Sequence, residues 1–317
     1  MKFPSIDDFN NTLSDINKYI HKTPIVSSSS LNKIYNSNIF FKLELFQKTG
    51  SFKTRGAINK LLKLSDLERD KGVITISAGN HAQAISWACS KFNIKSKIVM
   101  PFDASPSKVE ATKSYGGEVI LTKNNMMDEC NDIKEKEGLT FVHPFDDIDI
   151  ILGQGTIGVE IIEKLNNIDY AFISIGGGGL ISGIACVLKS INPKIKIIGI
   201  EPINSNVMTK SISSNKPETF DTNINKTLAD GLAAPFAGNL TFEFVKKYVD
   251  EIINVSENEM IESMRVIIER LKVIPEAAAS ACFVPILKNK LSIKKNTNSI
   301  IVLCGGNIDL DKLKKLF

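Results

Sequence analysis

Lys53 is the residue of this sequence whose position best suits covalent chemistry. It stands in the first turn of a helix predicted over residues 52–64, for which Ser51 is the expected N-cap. The positive end of the helix dipole disfavours a cation there, and Lys48 and Arg55 add further positive charge, so we expect the amine to be neutral. A neutral amine condenses with an aldehyde to form a Schiff base. The segment therefore predicts a reactive lysine.

Four consecutive glycines connect a predicted strand, residues 170–175, to a predicted helix, residues 180–190. They are Gly176, Gly177, Gly178 and Gly179. A glycine loop at a helix start lets backbone N–H groups approach a phosphate closely. Glu201 ends the next strand, where a dinucleotide site would have its ribose-binding acid, but neither G-x-G-x-x-G nor G-x-x-x-x-G-K-[ST] is satisfied. A single phosphate is therefore a better prediction than a dinucleotide.

A second loop of this kind follows a strand predicted over residues 72–77 and opens a helix over 80–92. Its residues are Ser77, Ala78, Gly79, Asn80 and His81. Small residues and hydrogen-bonding side chains at a helix start suit a smaller anion such as a carboxylate, although a simple capping turn would explain them equally well. A phosphate, a carboxylate and a carbonyl that meets a lysine amine together describe pyridoxal phosphate (PLP) carrying an amino acid.

Composition excludes several other classes of protein. With 317 residues, 43% hydrophobic and 23% charged, the chain should fold as two lobes or one large α/β domain. The net charge of +4 comes from scattered lysines rather than a basic stripe, which argues against nucleic acid, and no apolar run reaches the roughly 20 residues of a membrane span. The five cysteines and three histidines are dispersed, which argues against disulfides and a transition-metal site. We expect a cytoplasmic protein.

Apolar, β-branched runs alternate with amphipathic segments along the chain, which predicts an α/β fold with largely parallel sheets. The predicted strands cover residues 39–43, 72–77, 97–100, 117–121, 170–175, 196–200 and 299–303. The predicted helices cover residues 52–64, 80–92, 105–115, 126–137, 156–165, 180–190 and 257–271.

Seven motifs, in order, make nearly the whole chain resemble the threonine/serine dehydratase and serine racemase group of fold type II PLP enzymes. The motifs lie at residues 23–24, 50–56, 77–83, 153–156, 176–179, 229–231 and 303–307. The resemblance implies a two-lobed fold like that of tryptophan synthase β, in which each lobe is a mostly parallel twisted sheet flanked by helices. The large PLP-binding lobe would comprise residues 1–65 and 149–317, and the small lobe residues 66–148. It also implies a homodimer or homotetramer.

The resemblance assigns roles to individual residues. Lys53 would hold the cofactor covalently and remove the substrate α-proton, and the four glycines would bind the phosphate. The other implied cofactor contacts are Phe52 and Gly231 on the two ring faces, Asn80 at the phenolic oxygen, Glu276, and Cys304 as the neutral partner of the ring nitrogen. The implied substrate-binding residues are Ser77, Ala78, Gly79, Asn80 and His81.

The activity implied by the resemblance is dehydration of L-threonine, L-serine or both to a 2-oxo acid and ammonia. Members that racemise carry a serine at the position of Ala78, so elimination is expected to dominate here. A serine racemase, a dehydratase of 3-hydroxyaspartate or another β-substituted serine, and a β-replacement synthase remain open. A non-enzymatic or NAD-dependent protein would require Lys53 to be incidental.

Two further expectations concern regulation. The divalent-cation site of the group pairs a glutamate with an aspartate six residues on, and this chain has Glu201 followed by Val207. A divalent metal is therefore doubtful, with Glu201 the remaining candidate ligand, while a monovalent ion bound by backbone carbonyls stays open. Because the sequence ends at Phe317, we expect no regulatory domain and no feedback control by isoleucine.

Overall fold

The computed structural model describes residues 1–221 and 226–317, which form two sheets flanked by helices. The strands are β1 Ile25–Ser27, β2 Asn38–Leu43, β3 Val73–Ile76, β4 Ser96–Pro101, β5 Glu118–Thr122, β6 Thr140–Phe141, β7 Tyr170–Ser174, β8 Lys196–Pro202, β9 Glu251–Val255 and β10 Asn298–Leu303. The α-helices are α1 Ile6–Ile16, α2 Ser29–Tyr35, α3 Lys53–Lys63, α4 Asp66–Lys71, α5 Asn80–Phe92, α6 Pro106–Ser114, α7 Met126–Glu137, α8 Ile148–Lys164, α9 Gly179–Ile191, α10 Val207–Ser214, α11 Asn239–Tyr248, α12 Glu257–Leu271, α13 Ala277–Ser280, α14 Val284–Leu287 and α15 Leu310–Lys314.

The strand order shows which loops lie at the same edge of each sheet. The larger sheet has the order β1-β2-β10-β7-β8-β9, and all its neighbours are parallel except the β1–β2 pair. The smaller sheet has the order β5-β4-β3-β6 and is parallel throughout. The predicted α/β class with mostly parallel sheets is therefore confirmed. The loops that follow parallel strands gather at one edge, which is where open α/β sheets bind their ligands.

The predicted strands and helices are present, and most of their ends shift by one or two residues. Strands β1, β6 and β9 and helices such as α1 and α11 were not predicted. Strands β1 and β6 have only three and two residues, too few for an alternating pattern to be recognised.

Helix α8 begins eight residues earlier than the predicted start at residue 156. Asp147 caps it by accepting hydrogen bonds from the N–H groups of Asp149 and Ile150. The glycines near its middle serve helix packing. A Cβ atom on Gly153 would lie 2.5 Å from Cα of Gly56 in α3. The glycine-containing face of α8 thus lets α3 pack closely, and this packing sets the position of the segment that carries Lys53.

Candidate active site

A cavity of about 620 Å³ opens where the loops after β3, β7 and β10 meet. This volume lies within the range of small-molecule sites. Nearly all the predicted site residues line it, although they come from segments far apart in sequence. These are Phe52, Lys53, Ser77, Ala78, Gly79, Asn80, His81, Gly176, Gly177, Gly178, Gly179, Gly231, Glu276 and Cys304. The structure therefore brings the amine and both predicted anion loops to one cavity.

The start of α3 differs from the prediction, because Ser51 is not its N-cap. The helix begins at Lys53 with Phe52 at the cap position, and no side chain caps it. Ser51 instead forms an antiparallel β-bridge with Gly305, and the Phe52 N–H donates to the carbonyl of Cys304 at 3.0 Å. This pairing holds the backbone before the helix against the end of β10. Lys53 is consequently placed by main-chain pairing rather than by a cap.

The amine of Lys53 lies on the cavity wall between the two sheets. It donates a hydrogen bond to the carbonyl of Pro144 at 2.7 Å and lies 5.3 Å from the centre of the Phe52 ring. Burial lowers the pKa of Lys53 to about 8, while Cys304 and Glu276 act in the opposite direction. The protonated form still predominates near neutral pH, but the neutral fraction is far larger than for an exposed lysine, as Schiff-base chemistry requires.

The predicted cause of this neutrality was wrong in part. Arg55 does not contribute free positive charge near Lys53, because its guanidinium is buried and paired with the carboxylates of Glu44 and Glu160, each at 2.8 Å. The main cause is burial of the amine itself. The sequence pattern identified the lysine, but the surrounding charge could not be judged without knowing which acids approach from other segments.

The glycine loop joins β7 to α9 and requires its glycines for steric reasons. Gly178 has φ +94°, which disfavours any other residue. A Cβ atom on Gly177 would lie 2.2 Å from the Phe145 ring, and one on Gly176 would lie 2.9 Å from the carbonyl of Gly231. Thr241 supports the loop by donating to the Gly177 carbonyl at 2.7 Å.

The start of α9 has the features of an anion site. Gly178 at the cap position has no side chain to accept from the first turn of the helix. The first N–H groups of an α-helix have no partner within the helix, so they are available to a ligand at this wall of the cavity.

The second loop leads into α5 at the predicted residue, so Asn80 and His81 lie in the first turn of the helix. Helix α5 begins at Asn80 with Gly79 at the cap position, and the Ser77 hydroxyl accepts the Gly79 N–H at 3.2 Å. His81 is buried with its Nε2 atom 3.4 Å from the Val142 carbonyl. Burial, with Lys53 nearby, lowers the pKa of His81 well below its ordinary value, so this ring is neutral.

Cys304 follows β10 directly and is buried at the cavity wall. Its Sγ atom lies 3.6 Å from Oγ of Ser174 at the end of β7. Burial, with the charge of Glu276, raises the pKa of the Cys304 thiol well above its ordinary value. A protonated thiol is a neutral group, in keeping with the neutral partner expected at this position.

Several cavity residues had no role in the sequence analysis. They are His143, Phe145, Lys108, Asp230, Phe236 and Asn307. His143 follows the short strand β6, and its Nδ1 accepts the N–H of Asp146 at 2.8 Å, which leaves the proton of the neutral ring on Nε2. Burial lowers the pKa of His143 to about 4. The signal available in the sequence was the run His143-Pro144-Phe145 after an apolar segment, which resembles many loops.

Glu201 lies away from this cavity and caps α10. Its carboxylate accepts the N–H groups of Met208 and Thr209 at 2.9 and 2.7 Å and the Thr209 hydroxyl at 2.6 Å. Burial raises the pKa of Glu201 to about 7. Within residues 1–221 and 226–317, no cluster of three or more His, Cys, Asp or Glu side chains is arranged to hold a metal ion.

Comparison with known proteins agrees with this geometry. A family profile described as "Pyridoxal-phosphate dependent enzyme" matches residues 16–305. The chain belongs to this family of PLP-dependent enzymes. L-threonine dehydratase catabolic TdcB of Escherichia coli is 43% identical to it, covering 98% of this chain and 95% of that protein. Serine racemase of Schizosaccharomyces pombe is 38% identical, covering 98% of this chain and 96% of that protein.

Solved structures place the PLP-dependent chain within fold type II, as predicted. The structure of maize serine racemase matches with a TM-score of 0.93 and 36% identity, covering 98% of this chain and 96% of that one. Both the dehydratase and the racemase branches of the resemblance are thus represented among the relatives.

The cavity residues fit PLP. The sterically required glycines at the start of α9 leave backbone donors uncovered for the phosphate, and Lys53 supplies a partly neutral amine for the aldehyde. The protonated Cys304 thiol is of the kind that would give the ring nitrogen a partner without charge.

Proposed function

We propose that this PLP-dependent enzyme is a dehydratase, an ammonia-lyase that converts L-threonine, L-serine or both to the 2-oxo acid and ammonia. The observation that carries the proposal is the pairing, in one cavity, of the partly neutral Lys53 amine with Ala78, which has no exchangeable proton. The names of the relatives in Escherichia coli and Schizosaccharomyces pombe support the substrate class. A 3-hydroxyaspartate or bulkier β-substituted serine substrate belongs to the same proposal.

Bound PLP supplies an aldehyde for the substrate amine and a ring that delocalises negative charge from Cα. Lys53 accepts the α-proton at its Nζ atom, which burial keeps partly unprotonated. The loop of Ser77, Gly79, Asn80 and His81 would receive the substrate carboxylate, and Phe52 and Gly231 would hold the ring of the cofactor between them. In the net reaction, the α-proton taken up by Lys53 balances the proton that the β-hydroxyl needs to leave as water. Hydrolysis of the released enamine would then give the oxo acid and ammonia.

The reaction products test the proposal. After the α-proton has left, elimination of the β-hydroxyl competes with reprotonation from the face opposite Lys53, where we place Ala78. A positioned acid or base is typically worth about 10²–10⁴-fold, so elimination should dominate by a similar margin. We expect L-serine or L-threonine to give oxo acid and ammonia with hardly any D-isomer, measured by coupled dehydrogenase assay and chiral chromatography. Ala78→Ser should raise the racemised fraction.

Serine racemase is the second candidate, because relatives of that name match nearly the whole chain. Formation of D-serine from L-serine by the unmodified enzyme, at a rate similar to that of pyruvate, would overturn the dehydratase assignment in its favour. A β-replacement synthase would instead require an added thiol to divert the product from oxo acid to a substituted amino acid.

Divalent metal should have little influence on this activity. Both carboxylate oxygens of Glu201 accept hydrogen bonds from α10, and Val207 offers no oxygen ligand. We expect EDTA to leave turnover nearly unchanged and Mg²⁺ to add little, whereas Val207→Asp should create metal sensitivity. Strong, reversible loss of activity when the unmodified enzyme is chelated would show that another carboxylate completes a cation site.

The proposal includes a cytoplasmic homodimer or homotetramer, with a monovalent cation held by backbone carbonyls as an optional ligand. The five cysteines are free and buried, which suits a reducing compartment. Among the residues that the structure describes, no helix is both long and apolar enough to cross a membrane. Light scattering of the PLP-loaded protein tests the oligomeric state. Replacement of K⁺ by a large organic cation tests whether a monovalent cation is needed.

A further inference from the structure

The side-chain amide of Asn80 is held at both of its ends. Its Nδ2 atom lies 2.9 and 3.1 Å from the two carboxyl oxygens of Glu276. Its Oδ1 atom accepts a hydrogen bond from Nδ2 of Asn307 at 2.8 Å. Asn80 starts α5, whereas its two partners follow α12 and β10, so three distant segments meet at this one amide.

A backbone carbonyl determines which way this amide points. Nδ2 of Asn307 also donates to the carbonyl of Thr49 at 2.7 Å. Because a carbonyl can only accept, the nitrogen of Asn307 must lie on this side, and Asn80 must present its oxygen to it. The nitrogen of Asn80 is thereby directed to Glu276. Asn307 itself packs against Gly50, where a Cβ atom would lie only 2.4 Å from its Oδ1.

The amide nitrogen of Asn80 has two hydrogens, and this arrangement uses one of them. The two oxygens of Glu276 belong to one carboxyl group and lie on the same side of the nitrogen, so a single N–H serves both. Asn80 lines the same cavity as Phe52 and Lys53. The second N–H is therefore available to a ligand that reacts with the lysine.

We propose that Asn307 and Glu276 are positioning residues that fix the Asn80 amide with its second N–H directed at the oxygen beside the carbon attacked by Lys53. In PLP this oxygen is the ring phenolate, adjacent to the aldehyde. The inference rests on the proposed cofactor contact of Asn80, and it is independent of which amino acid is turned over.

The alternative explanation is a simple brace between the parts of the chain that carry the two sheets. A matched control for such a brace exists in the contact from the Ser107 hydroxyl to Asp309 at 3.0 Å. It also joins α6, beside the smaller sheet, to the segment after β10, but it does not touch Asn80. Removing it should loosen the two parts without changing the Asn80 amide.

The test uses the full-length, PLP-loaded protein and compares Asn80→Ala, Asn307→Ala, their double variant and Ser107→Ala. The readouts are the visible absorbance of bound PLP across pH and its dissociation constant from fluorescence. We expect Asn80→Ala and Asn307→Ala to shift the absorbance in the same direction and to weaken PLP binding by about 10-fold, as for loss of a hydrogen bond to a charged oxygen. The double variant should match Asn80→Ala alone, and Ser107→Ala should match the parent.

Substitutions of Glu276, the second partner of the Asn80 amide, test the same arrangement. Glu276→Gln retains an oxygen that accepts the Asn80 N–H, so it should bind PLP more tightly than Glu276→Ala, which should behave like Asn80→Ala in PLP affinity. Additive effects in the double variant, an Asn307→Ala spectrum equal to that of the parent, or a Ser107→Ala shift as large as that of Asn307→Ala would each overturn the inference. Since turnover is not a readout, a failure of the dehydratase proposal would appear separately, as absent oxo acid with the absorbance pattern intact.

Discussion

Replacing Lys53 with alanine should abolish both turnover and covalent attachment of PLP. The amine is the group proposed to hold the aldehyde and to accept the α-proton, so the variant loses both functions at once. Loss of a positioned base alone typically costs about 10²–10⁴-fold, and we expect the decrease to reach or exceed the upper end of this range. Turnover is measured as oxo acid release, and attachment by the absorbance of bound PLP.

The fold should survive this substitution. Lys53 is only partly buried and makes a single side-chain hydrogen bond, to Pro144, while the start of α3 is held by the main-chain contact from Phe52 to Cys304. Lys48→Ala is a matched control, because Lys48 lies on the same segment but does not line the cavity. It should keep both readouts.

Borohydride reduction of the unmodified protein followed by peptide mapping gives an independent check, since PLP should be fixed to Lys53. PLP retained on another lysine in Lys53→Ala, with turnover preserved, would remove the central residue from the proposed mechanism.

The parts of the site that could be predicted from sequence are those whose functional residues are contiguous in the chain. Lys53 lies in the first turn of a well-patterned helix, and the four glycines stand directly between a strand and a helix. For the glycines the local backbone conformation itself creates the binding feature. For Lys53 the helix was predictable from its pattern, although its start is held by pairing with Cys304 and Gly305. The structure places both Lys53 and the glycines at the cavity.

The remaining parts depend on contacts between distant segments. Asn307 reaches Asn80, 227 residues away, only because β10 returns beside β2. Lys42 lies among the apolar residues of β2, yet it is buried and pairs with Glu160, 118 residues away. A single sequence shows that such polar residues exist, but it does not show which partners will neutralise them.

The largest effect on stability should come from Arg55, which joins two buried carboxylates beneath the active site. Its guanidinium contacts Glu44 through Nε and Nη2 at 2.8 Å, and Glu160 through Nη1 and Nη2 at 2.8 and 2.9 Å. Lys42 donates to Glu160 at 2.5 Å and completes a set of two cations and two anions. All four side chains are almost fully buried. Burial would raise the pKa of Glu44, but the charge and hydrogen bonds of Arg55 bring it below its ordinary value.

Arg55→Ala should therefore lower the free energy of unfolding by about 3–5 kcal/mol, because it leaves one cation, Lys42, for the two buried carboxylates of Glu44 and Glu160. The loss should depend on pH with a definite sign. A carboxyl whose folded-state pKa is lowered contributes stability above its unfolded pKa, and this contribution disappears as pH falls through the folded pKa. The difference between parent and Arg55→Ala should thus be largest near neutral pH and should shrink on acidification, as measured by thermal and denaturant unfolding.

The exposed ion pair between Lys22 and Glu163 provides the matched control for this prediction. Its atoms are 2.7 Å apart, but the two side chains are 72% and 46% exposed. Lys22→Ala should cost no more than about 1 kcal/mol, because solvent screens such a pair. Equal losses for Arg55→Ala and Lys22→Ala would show that the buried set contributes no more than a surface contact. Retained PLP attachment in a destabilised Arg55→Ala would separate its structural role from the chemistry of Lys53, which lies two residues away on the same helix turn.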